Sequence, residues 1–207
     1  MCVICVSSKG AKQPSEEMIR KMFNANPHSA GYMYARAGKV VIHKGYLDAD
    51  ELLTDLDYEN FTESDVVIYH FRISTQADRT EMSQPFPITR DIEELEALDT
   101  VADLGLAHNG ILSQTSNGDK ELSDTAIYIR RFVAGREITD EFVRNLAEDT
   151  VGSRLAILDG YGNFRLTGSW TYENGLYFSN EYWKHSYRSP AYYRYVKGEN
   201  NGSKVKA

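Results

Sequence analysis

The sequence predicts an α+β fold in which sheets pack face to face and helices lie outside. Three observations carry this. Strand-like runs gather toward both ends of the chain with two helices between them, and few strands are separated by single helices, which disfavours a doubly wound parallel sheet. The third is composition. The 207 residues are 42% hydrophobic and 26% charged, a profile that supports a sizeable core and excludes disorder for the bulk of the chain.

Val3 to Val6 is a short apolar run and reads as a buried strand. Pro14 and Ser15 open a helix whose stripe is Met18, Ile19, Met22 and Phe23, and Pro27 stops it. Residues 30–36 and 39–43 are two strands joined at Ala37-Gly38. Asp48 caps a short helix to Leu56, with Glu51 three residues on. Val66 to Phe71 is β-branched and reads as another buried strand. Residues 72–90 are polar, contain Pro85 and Pro87, and read as a long functional loop. Ile92 to Leu98 gives a helical turn or two, and Val101 to Ala107 a strand that ends in a turn at His108-Asn109-Gly110. Ser123 caps a helix running to about Val133, with Gly135 after it. Thr139 caps the next helix, with Phe142, Val143 and Leu146 facing inward. Strands follow at 154–159, 164–168 and 176–179, with turns at Asn163 and Asn174-Gly175.

Charge and cysteine content exclude several classes. The net charge of −7 argues against a broad basic face for nucleic acid. The charge is uneven, because 181–207 holds six basic residues against two acidic ones and so leaves −11 for residues 1–180. No apolar run approaches the roughly 18 residues of a membrane span. The N-terminus lacks the charged and apolar regions of a secretory leader, and two cysteines cannot build a disulfide framework. The expectation is a cytoplasmic protein with its main domain at 1–180 and a basic, Tyr-rich segment at 181–207.

Four short stretches carry chemistry. If Met1 is removed, Cys2 becomes the first residue and gains a free α-amine beside its thiol. That amine, with a pKa of about 8, can take the thiol proton near neutral pH. Taken alone, Cys2 reads more readily as an inert residue. Cys2-Val3-Ile4-Cys5 also spells C-x-x-C, but residues i and i+3 of a strand face opposite ways, and there is no second pair for zinc. Cys5 therefore reads as a small buried hydrophobe. Asn109 and Gly110 could offer a side-chain NH2 and a backbone N–H to an oxyanion, although Asn-Gly is also an ordinary turn pair. Arg72, where a buried strand meets the loop, can grip a carboxylate or form a surface ion pair. Asp124, in a first helical turn, suits the helix dipole or receives an ammonium group. Arg72 and Asp124 together would hold both ends of an α-amino acid. No two of the five histidines have metal-ligand helical spacing, so no metal is expected.

These pieces come in a familiar order: Met1-Cys2, Ser29-Ala30-Gly31, His70-Phe71-Arg72 with Ser74-Thr75, Leu106 to Gly110, and Ser123-Asp124-Thr125. Over residues 1–180 the chain resembles the class II glutamine amidotransferase (glutaminase) domain of the N-terminal-nucleophile hydrolases. The resemblance implies a four-layer αββα sandwich. It implies that Cys2 attacks the side-chain amide of glutamine, Asn109 and Gly110 form the oxyanion hole, and Arg72 and Asp124 bind the α-carboxylate and α-ammonium. Thr75 would lie in the loop lining the pocket. Ammonia and a γ-glutamyl thioester would form, with no cofactor, and a separate synthase or acceptor protein would use the ammonia. The sequence departs from the family at Gln76-Ala77, where His-Gly is common, and at Asn26-Pro27-His28. Two other readings stand beside this one: an N-terminal-Cys amidase acting on another amide, and a non-enzymatic interaction module. The module would use the aromatic basic tail, where Tyr182, Trp183, Tyr187, Tyr192, Tyr193 and Tyr195 favour packing or partner docking over single-stranded nucleic acid.

Overall fold

Alternation along the first strand sets the architecture. In the computed structural model, which describes residues 1–73, 79–112, 115 and 122–185, β1 (Val3–Ser7) is buried at all five positions. Successive strand side chains leave opposite faces. Val3 and Cys5 join one apolar cluster, and Ile4 and Val6 join another. A strand buried on both sides belongs to an inner layer.

The elements follow in order. α1 (Glu16–Ala25) starts at Ser15, whose Oγ accepts the Met18 N–H at 3.3 Å. β2 (Ser29–Arg36) and β3 (Lys39–Tyr46) meet at Ala37 and Gly38, with φ of 51° and 78°, the left-handed pair that a tight hairpin requires. α2 (Ala49–Glu59) is capped by Asp48, which accepts the Asp50 N–H at 2.7 Å. β4 (Val67–Arg72), a 3₁₀ turn at Thr80–Met82, β5 (Phe86–Pro87) and α3 (Ile92–Glu96) lead to β6 (Asp99–Ala102) and β7 (Leu104–Asn109). α4 (Asp124–Tyr128) runs into a π-helical turn at Ile129–Val133, and α5 (Asp140–Asp149) follows. β8 (Arg154–Asp159), β9 (Phe164–Thr167), β10 (Thr171–Glu173), β11 (Leu176–Phe178) and α6 (Tyr182–His185) complete the described chain.

Among the described residues all strand pairings are antiparallel. They form a seven-stranded sheet ordered β10-β11-β1-β4-β2-β3-β6 and a four-stranded sheet ordered β5-β7-β8-β9. Ile4, Val6, Met33 and Ile68 of the first meet Ala107, Ala156 and Leu158 of the second, which makes the layer between the sheets. On the outer face of the first sheet, Ile19, Met22, Leu52 and Trp183 cover Tyr32, Tyr69 and Phe71. On the outer face of the second, Leu95, Ile127 and Leu146 cover Phe86, Leu106 and Leu155. The protein is therefore a mixed α and β fold with two antiparallel sheets and helices on both outer faces.

Several expectations shift. The single strand expected at 101–107 is two strands in different sheets, β6 and β7, joined at Asp103. An apolar run cannot reveal which sheet it serves. Just after the crossing, Gly105 packs closely under the first sheet, where a Cβ would lie 2.5 Å from Met33 Sδ. The turn expected from His108 begins two residues later, since His108 and Asn109 both lie in β7 and pair with Leu155 and Arg154. β5 lies inside the segment read as loop, and β10 was not expected from its three-residue pattern. In α5 only Leu146 is fully buried, with Phe142 and Val143 half-buried. Trp183 packs against Phe178 with ring centroids 5.2 Å apart, while Tyr187, Tyr192, Tyr193 and Tyr195 lie outside the described residues.

Candidate active site

The same alternation gathers the chemistry-bearing residues. On β4, Val67, Tyr69 and Phe71 face the helices and Ile68 faces the second sheet, so Arg72 falls on the inter-sheet side. On β7, Leu106 faces the outer helices and Ala107 the first sheet, so Asn109 also falls on the inter-sheet side. Cys2 precedes Val3, which pairs with Phe71; one more step of that register sets Cys2 beside Arg72. Cys2, Arg72 and Asn109 thus share one end of the layer between the sheets.

The Cys2 thiol donates to the Ile73 carbonyl at 3.6 Å. Burial pushes its pKa up. The Ile73 contact, the chain's terminal ammonium and the Arg72 guanidinium pull it down, and Asp124 pushes it up. Arg72 and Asp124 therefore both act electrostatically on this sulfur. Arg72 is 4% exposed, and its Nη1 donates to the Arg79 carbonyl at 2.9 Å. That bond ties the two ends of the segment holding Thr75, which itself lies outside the described residues.

Asn109 is 1% exposed. Its Nδ2 donates to Ser179 Oγ at 2.9 Å, and its Oδ1 is buried without a partner among the described residues. An amide nitrogen has two hydrogens, so one remains for a ligand. Gly110 is required by close approach: a Cβ there would sit 2.2 Å from Ser153 Oγ. Asp124 accepts the Leu112 N–H through Oδ2 at 3.2 Å and the Thr125 N–H through Oδ1 at 2.8 Å, binding the chain beyond Gly110 to the start of α4.

Beneath these groups runs a buried chain of hydrogen bonds. Gln84 Nε2 donates to Thr125 Oγ1 at 3.3 Å, and Thr125 Oγ1 lies 2.8 Å from His108 Nδ1. His108 Nε2 lies 3.1 Å from Ser153 Oγ, which donates to the Ile111 carbonyl at 3.4 Å. All are satisfied when Thr125 donates to Nδ1 and His108 donates from Nε2. Burial lowers the His108 pKa to about 4, with Asp124 opposing, which fits the neutral ring that this chain requires. His70 Nε2 donates to the His108 carbonyl at 3.2 Å, and burial lowers the His70 pKa to about 3.

Sequence reasoning missed Gln84, Ser153, Ser179 and Asn180. Each is a common polar residue in a turn or at a strand end, and only its burial beside a distant partner marks it. Cys5 is fully buried among apolar side chains and its thiol is pushed up by desolvation, as a small hydrophobe would be. Among the described residues no cluster of three or more His, Cys, Asp or Glu could hold a metal, and no helix is long and apolar enough to cross a membrane.

No protein-family model matches the chain, and no curated protein matches it. Among solved structures it is similar to the glutamine phosphoribosylpyrophosphate (PRPP) amidotransferase from B. subtilis complexed with ADP and GMP. The TM-score is 0.55 at 17% identity, over 86% of this chain and 41% of that one. The likeness is one of fold, and the chain spans about two fifths of the length of that protein.

Proposed function

We propose that this chain hydrolyses the side-chain amide of glutamine to glutamate and ammonia, with Cys2 as an N-terminal nucleophile. The observation that carries the reading is the gathering of Cys2, Arg72 and Asn109 at one end of the inter-sheet layer, with Asp124 close enough to influence the thiol. The likeness in fold to a glutamine PRPP amidotransferase supports it.

Removal of Met1 turns the Cys2 nitrogen into a free amine. Arg72 pairs with the α-carboxylate of glutamine and Asp124 with its α-ammonium, which directs the side-chain amide to the sulfur. The amine takes the thiol proton as sulfur attacks the amide carbon. The resulting oxyanion is held by Asn109 Nδ2 and the Gly110 N–H. Collapse breaks the C–N bond, the proton passes from the amine to the leaving nitrogen, and ammonia departs from a γ-glutamyl thioester. Water, with its proton taken by the same amine, then releases glutamate and restores the thiol. An acceptor site on another domain or chain consumes the ammonia.

The test is glutamate and ammonia release by Met1-processed protein supplied with glutamine, with Cys2→Ala as control. Turnover that disappears in the variant is expected. A processed sample that releases neither product, alone or beside acceptor enzymes, overturns the reading.

A further inference from the structure

Two adjacent residues after β11 bind both halves of the proposed machinery. Ile4 and Ser179 are joined twice: the Ile4 N–H donates to Ser179 Oγ at 2.8 Å, and the Ser179 N–H donates to the Ile4 carbonyl at 3.0 Å. The same Ser179 Oγ accepts from Asn109 Nδ2 at 2.9 Å. The next residue, Asn180, donates from Nδ2 to the Cys2 carbonyl at 2.7 Å. Strand alternation explains the reach of Ser179. Leu176 and Phe178 face the helices, so Tyr177 and Ser179 face the second sheet, where Asn109 lies.

We propose that Ser179 and Asn180 are positioning residues: Asn180 fixes the backbone of Cys2, and Ser179 fixes the amide of Asn109. Ser179 is 2% exposed, and a hydroxyl held from both sheets at once restricts the Asn109 amide to one rotation. One Nδ2 hydrogen is committed to Ser179 and the other kept for the oxyanion. Asn180 holds the carbonyl of the residue whose amine and sulfur must both turn toward substrate. Both residues, with Met1, Arg154 and Trp170, line a cavity of ≈ 470 Å³. The amine freed by removal of Met1 therefore forms at the wall that Asn180 and Ser179 build. The Ser179 assignment rests on the glutaminase reading; the Asn180 assignment requires only a reactive Cys2.

The experiment compares Met1-processed wild type, Ser179→Ala, Ser179→Thr and Asn180→Asp in two assays. One is kcat and KM for glutamine. The other is the rate of Cys2 alkylation by iodoacetamide, which displaces iodide at a saturated carbon and forms no oxyanion. Ser179→Ala is expected to lower kcat by roughly 10- to 100-fold with KM nearly constant and to slow alkylation far less, because the oxyanion step loses most while the Ile4 N–H loses its acceptor. Ser179→Thr, which keeps the hydroxyl, restores most of kcat. Asn180→Asp, which keeps the shape but loses the donor, slows both assays. Equal losses in both assays for Ser179→Ala, or wild-type kcat, overturn the Ser179 assignment. Unchanged alkylation in Asn180→Asp overturns the Asn180 assignment. A wild type that alkylates at Cys2 yet releases no glutamate removes the glutaminase reading and the Ser179 assignment with it, while the alkylation rate of Asn180→Asp still decides the other.

Discussion

The Cys2 thiol gives its hydrogen to the Ile73 carbonyl, 3.6 Å away. Burial pushes the thiol's pKa up and outweighs the Ile73 contact, the terminal ammonium and Arg72, which pull it down. The sulfur therefore rests protonated and needs a base at the moment of attack. Protein retaining Met1 has that nitrogen locked in a peptide bond. It is expected to hydrolyse glutamine about 10²- to 10⁴-fold more slowly than processed protein, the range of a lost general base. Intact mass and turnover measured on the two forms side by side check this, and equal rates would exclude the α-amine as base.

Asn109 carries the proposed oxyanion contact through a hydrogen that no described group uses. Asn109→Ala is expected to lower kcat by about 10²- to 10³-fold with little change in KM. Gly110→Ala acts differently. Its methyl collides with Ser153, so it is expected to lower the unfolding free energy by about 1–3 kcal/mol as well as turnover. Denaturant titration separates the two variants, and an unchanged midpoint in Gly110→Ala would contradict the packing.

In the proposed function Arg72 is the residue that separates glutamine from other amides. Arg72→Ala is expected to weaken glutamine binding about 10- to 100-fold, as loss of a charge-assisted pair does. Arg72→Lys is not expected to restore it, because an ammonium cannot form the two parallel bonds of a guanidinium. If KM for glutamine stays at the wild-type value in Arg72→Ala, the substrate is not held by its α-carboxylate, and an amidase for another amide becomes the better reading.

The candidate positions could be picked out because each stands where a pattern ends. Cys2 precedes an apolar run, Arg72 closes a β-branched run, Asp124 follows a cap, and Asn109 precedes a glycine. The face-to-face sheets were legible in the order of the elements, with strand runs on either side of two central helices. What could not be read is the assignment of short strands to sheets, as at Asp103, and the polar groups whose meaning is a neighbour far along the chain. Ser153 matters because it touches Gly110 and His108, and Ser179 because it touches Ile4 and Asn109. Periodicity carries no information on such meetings.

His70 and His108 predict acid sensitivity. Their native pKa values, about 3 and about 4, lie below the ordinary 6.5 because burial disfavours the charged rings. The unfolded chain therefore binds protons at pH values where the native one does not. The stability that these two neutral rings contribute is full above pH 6.5 and falls as pH drops toward 4. His108→Gln removes one of these protons, so its stability is expected to fall less steeply across that window, by up to about 1.4 kcal/mol per pH unit. Urea unfolding at pH 7, 5.5 and 4.5 measures the difference, and parallel curves for variant and wild type would contradict the assignment.

Lys44 predicts the opposite end of the scale. It is 4% exposed, and its Nζ donates to the carbonyls of Glu81 at 2.8 Å and Leu95 at 2.5 Å, 4.2 Å from the Phe86 ring centroid. Burial lowers its pKa to about 7; Glu81 and Glu96 oppose the shift and Arg72 assists it. Between pH 7 and about 10.5 the unfolded chain holds a proton on this amine that the native chain releases, so stability rises with pH across that window. Lys44→Met cannot titrate and leaves two carbonyls without their donor, so it is less stable at high pH. The advantage of wild type over Lys44→Met is expected to be constant below pH 7 and to widen between pH 7 and 10. Because Lys44 joins the Thr80–Met82 turn to the end of α3, the variant should also loosen the stem of the segment that carries Thr75. Hydrogen exchange at residues 79–83 reports that loosening, and a stability gap that does not change with pH would show that Lys44 is charged in the native protein.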